Sequence, residues 1–261
     1  MGSADLHIHS LASDGLNTVA EILDAAARAG LDVIAITDHE RIDAAVAAQR
    51  MRRDGSPEVI VGEEISTRGG HLLGLFLKER IRPWHSLRDS VARVHDQSGI
   101  AVIAHPLVPY PLCASAGSIR RLLDEADPIY HPDAIETFNP TTARMRWGSR
   151  VPAFAMEMGV AAVGGSDAHM AVSIGQALTT FEGTTAADLR AAIEARETGW
   201  DGTAYAWRGQ LGMFRRQWGK NARALRDDVR GKVLRDGTGR DLGYPGGRQR
   251  PARFDEREPG R

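Results

Sequence analysis

Apolar residues in this chain fall into two patterns that take turns along it. Runs such as 31–37 (LDVIAIT) are apolar almost throughout, as in a strand buried on both faces. Stretches such as 18–30 (TVAEILDAAARAG) place apolar residues three and four apart, which marks an amphipathic helix. Thr18 supplies its cap and Gly30 its stop. On this basis strands are predicted over 4–9, 31–37, 58–66, 71–77, 100–106, 133–139, 160–169 and 176–181. Helices are predicted over 18–30, 43–55, 86–99, 118–127, 142–159 and 185–196. Ser86 and Asp89 stand in capping-box arrangement, and Pro152 predicts a break in the fifth helix.

Strand and helix in alternation imply an α/β fold with a mostly parallel sheet. About seven strands with polar residues at their C-terminal ends favour a closed barrel, whose site lies at that rim. No glycine-rich phosphate loop follows the first strand, which counts against a nucleotide-binding open sheet.

Composition bounds the picture further. The 261 residues, 42% hydrophobic, suffice for one large core plus an appendage. A single cysteine, Cys113, excludes a disulfide framework and thiolate zinc sites, and fits a reducing, cytoplasmic setting. The N-terminus is polar and does not read as a signal peptide, and no apolar run is long enough for a membrane span. Charge is uneven: residues 199–261 carry 15 Lys and Arg against 8 Asp and Glu, while the body is acidic. The expected division is therefore a domain over 1–198 and a basic C-terminal extension over 199–261. In that extension Trp207, Leu211, Phe214, Trp218, Ala222, Leu225, Val229 and Val233 recur at helical spacing. From about Arg235 the tail is rich in Gly, Pro, Arg and Asp and reads as flexible. The helix is expected to dock on the barrel. Nucleic acid, a membrane surface or a partner helix are the other occupants of its apolar face.

Polar chemistry gathers where the apolar strands stop. His7 and His9 are two apart and share a strand face, and Asp167 and His169 are expected to share one likewise. With Asp14, His39, Glu64, His71 and His105 they make nine candidate ligands, six imidazoles and three carboxylates. Alone, each string has a plainer explanation, a turn for Asp14 or a strand end for His105. Together they take six of the nine histidines, and His85, His95 and His131 are left as structural or solvated. Nitrogen and oxygen donors suit Zn, Mn or Fe. Nine exceed what one zinc needs, which points to two or three divalent metal ions.

The ordered strings DLHIHS, SDG, ITDH, GEEIS, HLLGL, VIAHP and GGSDAH resemble the PHP (polymerase and histidinol phosphatase) superfamily of metal-dependent phosphoesterases, over roughly residues 4–180. The resemblance implies a distorted (β/α)7 barrel with a trinuclear centre. It implies one metal on His7, His9, Glu64 and Asp167, a second on Asp14, His39 and His169, and a third on Glu64, His71 and His105. Glu64 is chosen over Glu63 because it directly precedes the Ile-Ser pair. Only 33 residues separate His71 from His105, so the helical insertion that some members carry there is absent.

The expected activity is hydrolysis of a phosphate ester (a phosphomonoester, nucleotide or nucleic-acid end) by a metal-bridging hydroxide. Asp167, with His39 or His169 at the rim, is expected to manage protons. Arg144 is the first candidate to meet substrate phosphate, with Arg41, Arg68 and Arg146 behind it. A phosphorylated small molecule or nucleotide is the expected partner, and nucleic acid through the basic extension. Three other classes stand beside this one, the first a nucleic-acid-binding protein driven by the basic extension. A non-catalytic accessory module would need lost ligands, yet all nine positions are filled. An amidohydrolase with a bridging carbamate would need a lysine among the strand-end ligands, and the nine include none.

Overall fold

The computed structural model of the chain describes residues 1–109 and 112–205. Strand β1 (Gly2–Ile8) pairs in parallel with β2 (Val33–Ile36), and β2 with β3 (Glu58–Thr67). β4 (Gly70–Leu75) runs back antiparallel to β3, and β5 (Ile100–Ile103) antiparallel to β4. β6 (Ala134–Phe138) and β7 (Ala161–Gly164) complete the row in parallel. The chain leaving β7 bridges back to the end of β1, Ala168 against Ile8, which draws seven strands into a ring. β8 (Ala177–Phe181) and β9 (Gly199–Gly202) add an antiparallel pair on the other side of β1. The result is a distorted (β/α) barrel, distorted because β4 reverses direction in an otherwise parallel row.

Six helices lie between the strands: α1 (Val19–Arg28), α2 (Asp43–Met51), α3 (Leu87–His95), α4 (Ala116–Leu123), α5 (Val151–Met158) and α6 (Ala186–Ala195). Thr18 and Glu21 form a reciprocal capping box on α1, and Ser86 caps α3 by accepting from the Asp89 N–H. β2 shows why its run is apolar throughout. Ile34 and Ile36 pack in a cluster with Ile22, Ala26 and Ala45, while Val33 and Ala35 join Ile60, Leu73, Phe181 and Leu189. Each of the Val, Leu, Ile and Phe side chains among them contributes about 1.5–3 kcal/mol by leaving water.

Two local expectations are corrected. The helix predicted over 142–159 begins only at Val151, after turns and a 3-10 turn at Gly148–Arg150. Pro152 therefore opens a helix instead of breaking one: its fixed φ and missing N–H suit a first turn. β9 was not foreseen, because Gly-Trp-Asp-Gly has neither alternation nor β-branched residues. It lies beyond residue 198, where the charge balance changes, and Trp200 stacks on Phe138 with ring centroids 5.0 Å apart. The stripe from Trp207 to Val233 and the basic tail lie outside the described residues. Among the described residues, no helix is long and apolar enough to cross a membrane.

The three histidines set aside above do structural work in two cases. His131 Nε2 donates to Glu125 O at 2.9 Å. His95 puts Nδ1 2.7 Å from Ile129 O and Nε2 2.9 Å from Asp133 Oδ2, so both ring nitrogens face acceptors. Burial opposes a charge on His95, but Asp133 and the Ile129 carbonyl outweigh it and raise its pKa. The folded state thus holds the proton more tightly than the unfolded chain. The pair's contribution is full below about pH 6.5, the unfolded value, and fades as pH rises through the folded value. His95→Ala is expected to cost ~1–2 kcal/mol of unfolding free energy at pH 6 and clearly less at pH 9. Urea unfolding of both proteins at the two pH values checks this, and an equal cost at both would contradict it.

Candidate metal centre

All nine sequence-selected residues come together at one end of the barrel. His7 ends β1 and His9 follows it, Asp14 lies in the next turn, and His39 follows β2. Glu64 and His71 face each other from β3 and β4, His105 follows β5, and Asp167 and His169 follow β7. Glu64 is at the middle. Its Oε2 lies 3.2 Å from His7 Nε2, 3.1 Å from His9 Nε2 and 3.3 Å from His39 Nδ1. Its Oε1 lies 2.6 Å from His71 Nδ1 and 3.1 Å from His105 Nε2. One carboxylate thus presents each oxygen to a different set of imidazoles. Strand alternation sends Glu63 the other way, where its Oε2 accepts the Ile81 N–H at 2.7 Å. Burial pushes that carboxyl up to about 7.

Asp14 and Asp167 close the cluster. Asp14 lies 3.2 Å from His169 Nε2, 3.4 Å from His9 Nδ1 and 3.8 Å from His39 Nε2. Asp167 Oδ1 lies 3.4 Å from His9 and 3.6 Å from His7 and His169. Asp167 and His169 do not reach the centre by strand alternation, as expected above. β7 ends at Gly164, and Asp167 stands in the left-handed region at φ 52°. A turn aims them: Ala168 N–H donates to His7 O, and His9 N–H donates to Ala168 O. The left-handed backbone of a non-glycine residue costs on the order of 1–2 kcal/mol, so the surrounding bonds must hold it.

Charge follows from crowding. Burial alone would raise the carboxyls of Glu64 and Asp167, yet the imidazoles around them hold both well below the usual range. Burial likewise opposes charge on His9, but the Asp167 and Glu64 carboxylates beside it push it up to about 10. His39 lies at the mouth with 29% of its side chain exposed. Burial lowers its pKa, and Glu64 only partly compensates.

These donors fit divalent cations. His7 Nε2, both nitrogens of His9 and His71 Nδ1 are buried without hydrogen-bond geometry to any partner. Such atoms are costly unless something else satisfies them. Ligand atoms within 4.8 Å of one another form four groups: His9, Asp14, His39, His169; His7, His9, Glu64; His7, His105, Asp167; and His39, Glu64, His71. The overlap of these groups, six imidazoles with three carboxylates, suits several cations of the Zn, Mn or Fe type better than one.

Sequence reasoning missed the residues behind the ligands. Glu136 in β6 places Oε1 2.9 Å from His7 Nδ1, and its Oε2 accepts the His105 N–H at 2.8 Å. Asn139 Nδ2 donates to Glu136 Oε2 and to Asp167 Oδ2, at 3.1 and 3.3 Å. Cys113 Sγ stands 3.4 Å from His105 Nδ1. Asp38 gathers the Ser10 N–H, the Ser10 hydroxyl and the Ser13 hydroxyl, which fixes the loop between His9 and Asp14. A lone buried acid in an otherwise apolar strand was the available signal for Glu136.

The selected arginines part company. Arg41 is gripped by Asp43 through two 2.7 Å bonds at the start of α2. Arg68 is exposed between β3 and β4, and Arg144 and Arg146 are exposed on the turn after β6. Beside that turn lies a cavity of about 590 Å³, lined by Leu107, Cys113, Trp147, Arg150 and Phe154 among others. Through Cys113 it is one side chain away from His105.

A closed α/β barrel with a histidine–carboxylate cluster at one end defines a metal-binding, hydrolase-like protein. Family models agree: residues 5–112 match the PHP domain and residues 148–198 the PHP-associated region. A protein of Methanocaldococcus jannaschii without an assigned function is 33% identical over 147 residues, which is 52% of this chain and 81% of that one. The chain belongs to the PHP superfamily. A 5'-3' exoribonuclease of Haemophilus influenzae is 40% identical over 75 residues, 27% of each chain. Among solved structures, a two-domain protein of Bacteroides vulgatus containing a PHP-like metal-dependent phosphoesterase superposes with a TM-score of 0.59. It is 18% identical, and the match covers 77% of this chain and 64% of that one.

Proposed function

We propose that this protein hydrolyses a phosphate ester at the centre around Glu64. The observation that carries the reading is the split of one buried carboxylate between two sets of imidazoles, the arrangement a bridging ligand requires. His7, His9, Glu64 and Asp167 would hold one cation, Asp14, His39 and His169 a second, and Glu64, His71 and His105 a third. Divalent cations in such a set supply Lewis-acid charge for the phosphoryl oxygens and make water acidic enough to attack near neutral pH.

The protein's own groups do the rest. Asp167 keeps Oδ1 toward the imidazoles while Asn139 binds Oδ2, and Asp167 or a rim histidine, His39 or His169, would take the proton from the attacking water. His39 and Asp14, the most exposed of the set, stand where substrate enters, with His169 beside them. Arg144 meets a phosphate at the rim, and Arg41 is a weaker choice because Asp43 already binds it. The cavity walled by Leu107, Trp147 and Phe154 takes the leaving group, and its size suits a small organic ligand. A nucleotide or nucleic-acid end is included in this class, in keeping with the exoribonuclease likeness and with the basic sequence after residue 205.

The test is a screen of phosphomonoesters, nucleotides and short RNA or DNA, with Mn²⁺, Zn²⁺ and Fe²⁺ added separately. Turnover of one class is expected, lost by more than about 100-fold in Asp167→Ala and His39→Ala while thermal unfolding stays cooperative. Tightly bound metal with no turnover of any ester would favour the nucleic-acid-binding reading instead, and absence of bound metal the accessory module.

A further inference from the structure

Asp167 depends on a residue far outside the metal-binding strings. Tyr205 follows β9 and is 7% exposed. Its hydroxyl donates to Ser166 O at 2.6 Å, and its backbone N–H donates to Pro140 O at 3.3 Å. Both carbonyls belong to turns that hold Asp167. Ser166 immediately precedes Asp167, and its own N–H donates to Asp5 Oδ1 at 2.9 Å. Pro140 follows Asn139, whose side-chain amide binds Asp167 Oδ2. One buried residue therefore ties the turn after β7, which bears Asp167, to the turn after β6, whose Asn139 binds the Asp167 carboxylate. That turn also bears the left-handed Asp167 backbone, which relaxes unless it is clamped.

We propose that Tyr205 is a positioning residue for Asp167: its hydroxyl, through the Ser166 carbonyl, sets where the carboxylate meets the cations. Tyr205 lies beyond the stretch 148–198 that matches the PHP-associated model, so this chain supplies the clamp from its own continuation. The segment is seated independently by the Trp200 ring on Phe138 and by the Thr203 N–H on Gln176 O. Removing the hydroxyl therefore leaves the ring and the strand in place and takes away the grip on Ser166, together with the hydroxyl's contact with the Ser173 side chain. Groups that orient a ligand typically govern metal affinity by about 10–100-fold.

The inference rests on the metal-centre reading, and the experiment separates the two. The full chain and its Tyr205→Phe variant are stripped of metal, and Zn²⁺ or Mn²⁺ affinity is measured by competition with a chromophoric chelator. Thermal unfolding of the metal-free proteins is followed in parallel. Tyr205→Phe is expected to unfold within a few degrees of the parent (roughly the effect of one hydrogen bond) and to bind its weakest cation about tenfold less tightly. Trp200→Ala disturbs the same segment without touching the Ser166 or Pro140 carbonyls, and should keep the parent's affinity. Equal affinity in Tyr205→Phe overturns the inference. So does an equal loss in Trp200→Ala, or a Phe variant that no longer folds, because the role is then structural. A parent protein that binds no divalent cation sinks the metal-centre reading itself, a distinct result.

Discussion

Glu64→Ala is expected to empty the centre and to lower turnover by about 10³-fold or more, the several kcal/mol that metal ions supply to a phosphoryl transition state. The expectation follows from position. Glu64 is 2% exposed and lies within 3.3 Å of a nitrogen on each of five histidines. Asp14 and Asp167 each stand within 3.8 Å of three. Without Glu64, the His71 and His105 nitrogens have no carboxylate between them and the His7–His9 side, and like charges face one another across a buried space. Glu64→Gln keeps the volume but has one acceptor oxygen where two are needed, so it should keep the fold and still lose metal. Elemental analysis after gel filtration, with hydrolysis measured on the same sample, decides the matter. A folded Gln variant with full metal content and undiminished turnover would contradict both the site and the proposed function.

The nine residues around Glu64 were legible in sequence because ligand chemistry restricts them to His, Asp and Glu, and because strand ends restrict where these stand. Glu64 was chosen over Glu63 by its place before the Ile-Ser pair, and alternation then turns Glu63 to the opposite face, where it meets Ile81. Alternation misdescribed Asp167 and His169, since a turn with a left-handed residue had taken over from β7. β2 was legible for a similar reason: both of its faces are buried, so every position had to be apolar. Arg144 to Arg150 read as helix because the helical period of Phe154, Met158 and their neighbours was extended backwards across turns. Asn139, Cys113 and Tyr205 could not be found at all. Each acts through contacts made across the closed barrel, and a single polar residue carries no period and no spacing rule. Tyr205 is 38 residues from Asp167 in sequence and reaches it only because β9 returns along β8.

Glu136→Ala is expected to weaken metal binding by about 10–100-fold and to destabilise the metal-free fold by about 3 kcal/mol. Glu136 is 1% exposed and touches no other acid of the cluster, yet it controls two ligands at once. Oε1 holds His7 Nδ1, which turns Nε2 toward Glu64, and Oε2 holds the His105 backbone, which sits at φ 28°. Burial opposes a charge on His7, and Glu136 is the largest of the three carboxylates that outweigh it. In the alanine variant the His7 Nδ1–H and the His105 N–H both lose a buried acceptor, and that loss accounts for the stability cost. Glu136→Gln distinguishes orientation from bulk. Its single oxygen can serve His7 or His105, and its amide N–H then opposes the donor on the other side. The Gln variant should therefore recover stability in part while metal affinity stays about tenfold down. Chelator competition and urea unfolding on the three proteins read the two effects separately. Parent-like metal affinity in both variants would mean that His7 is oriented by β1 alone, and that the buried acid in β6 serves only to satisfy the barrel's interior.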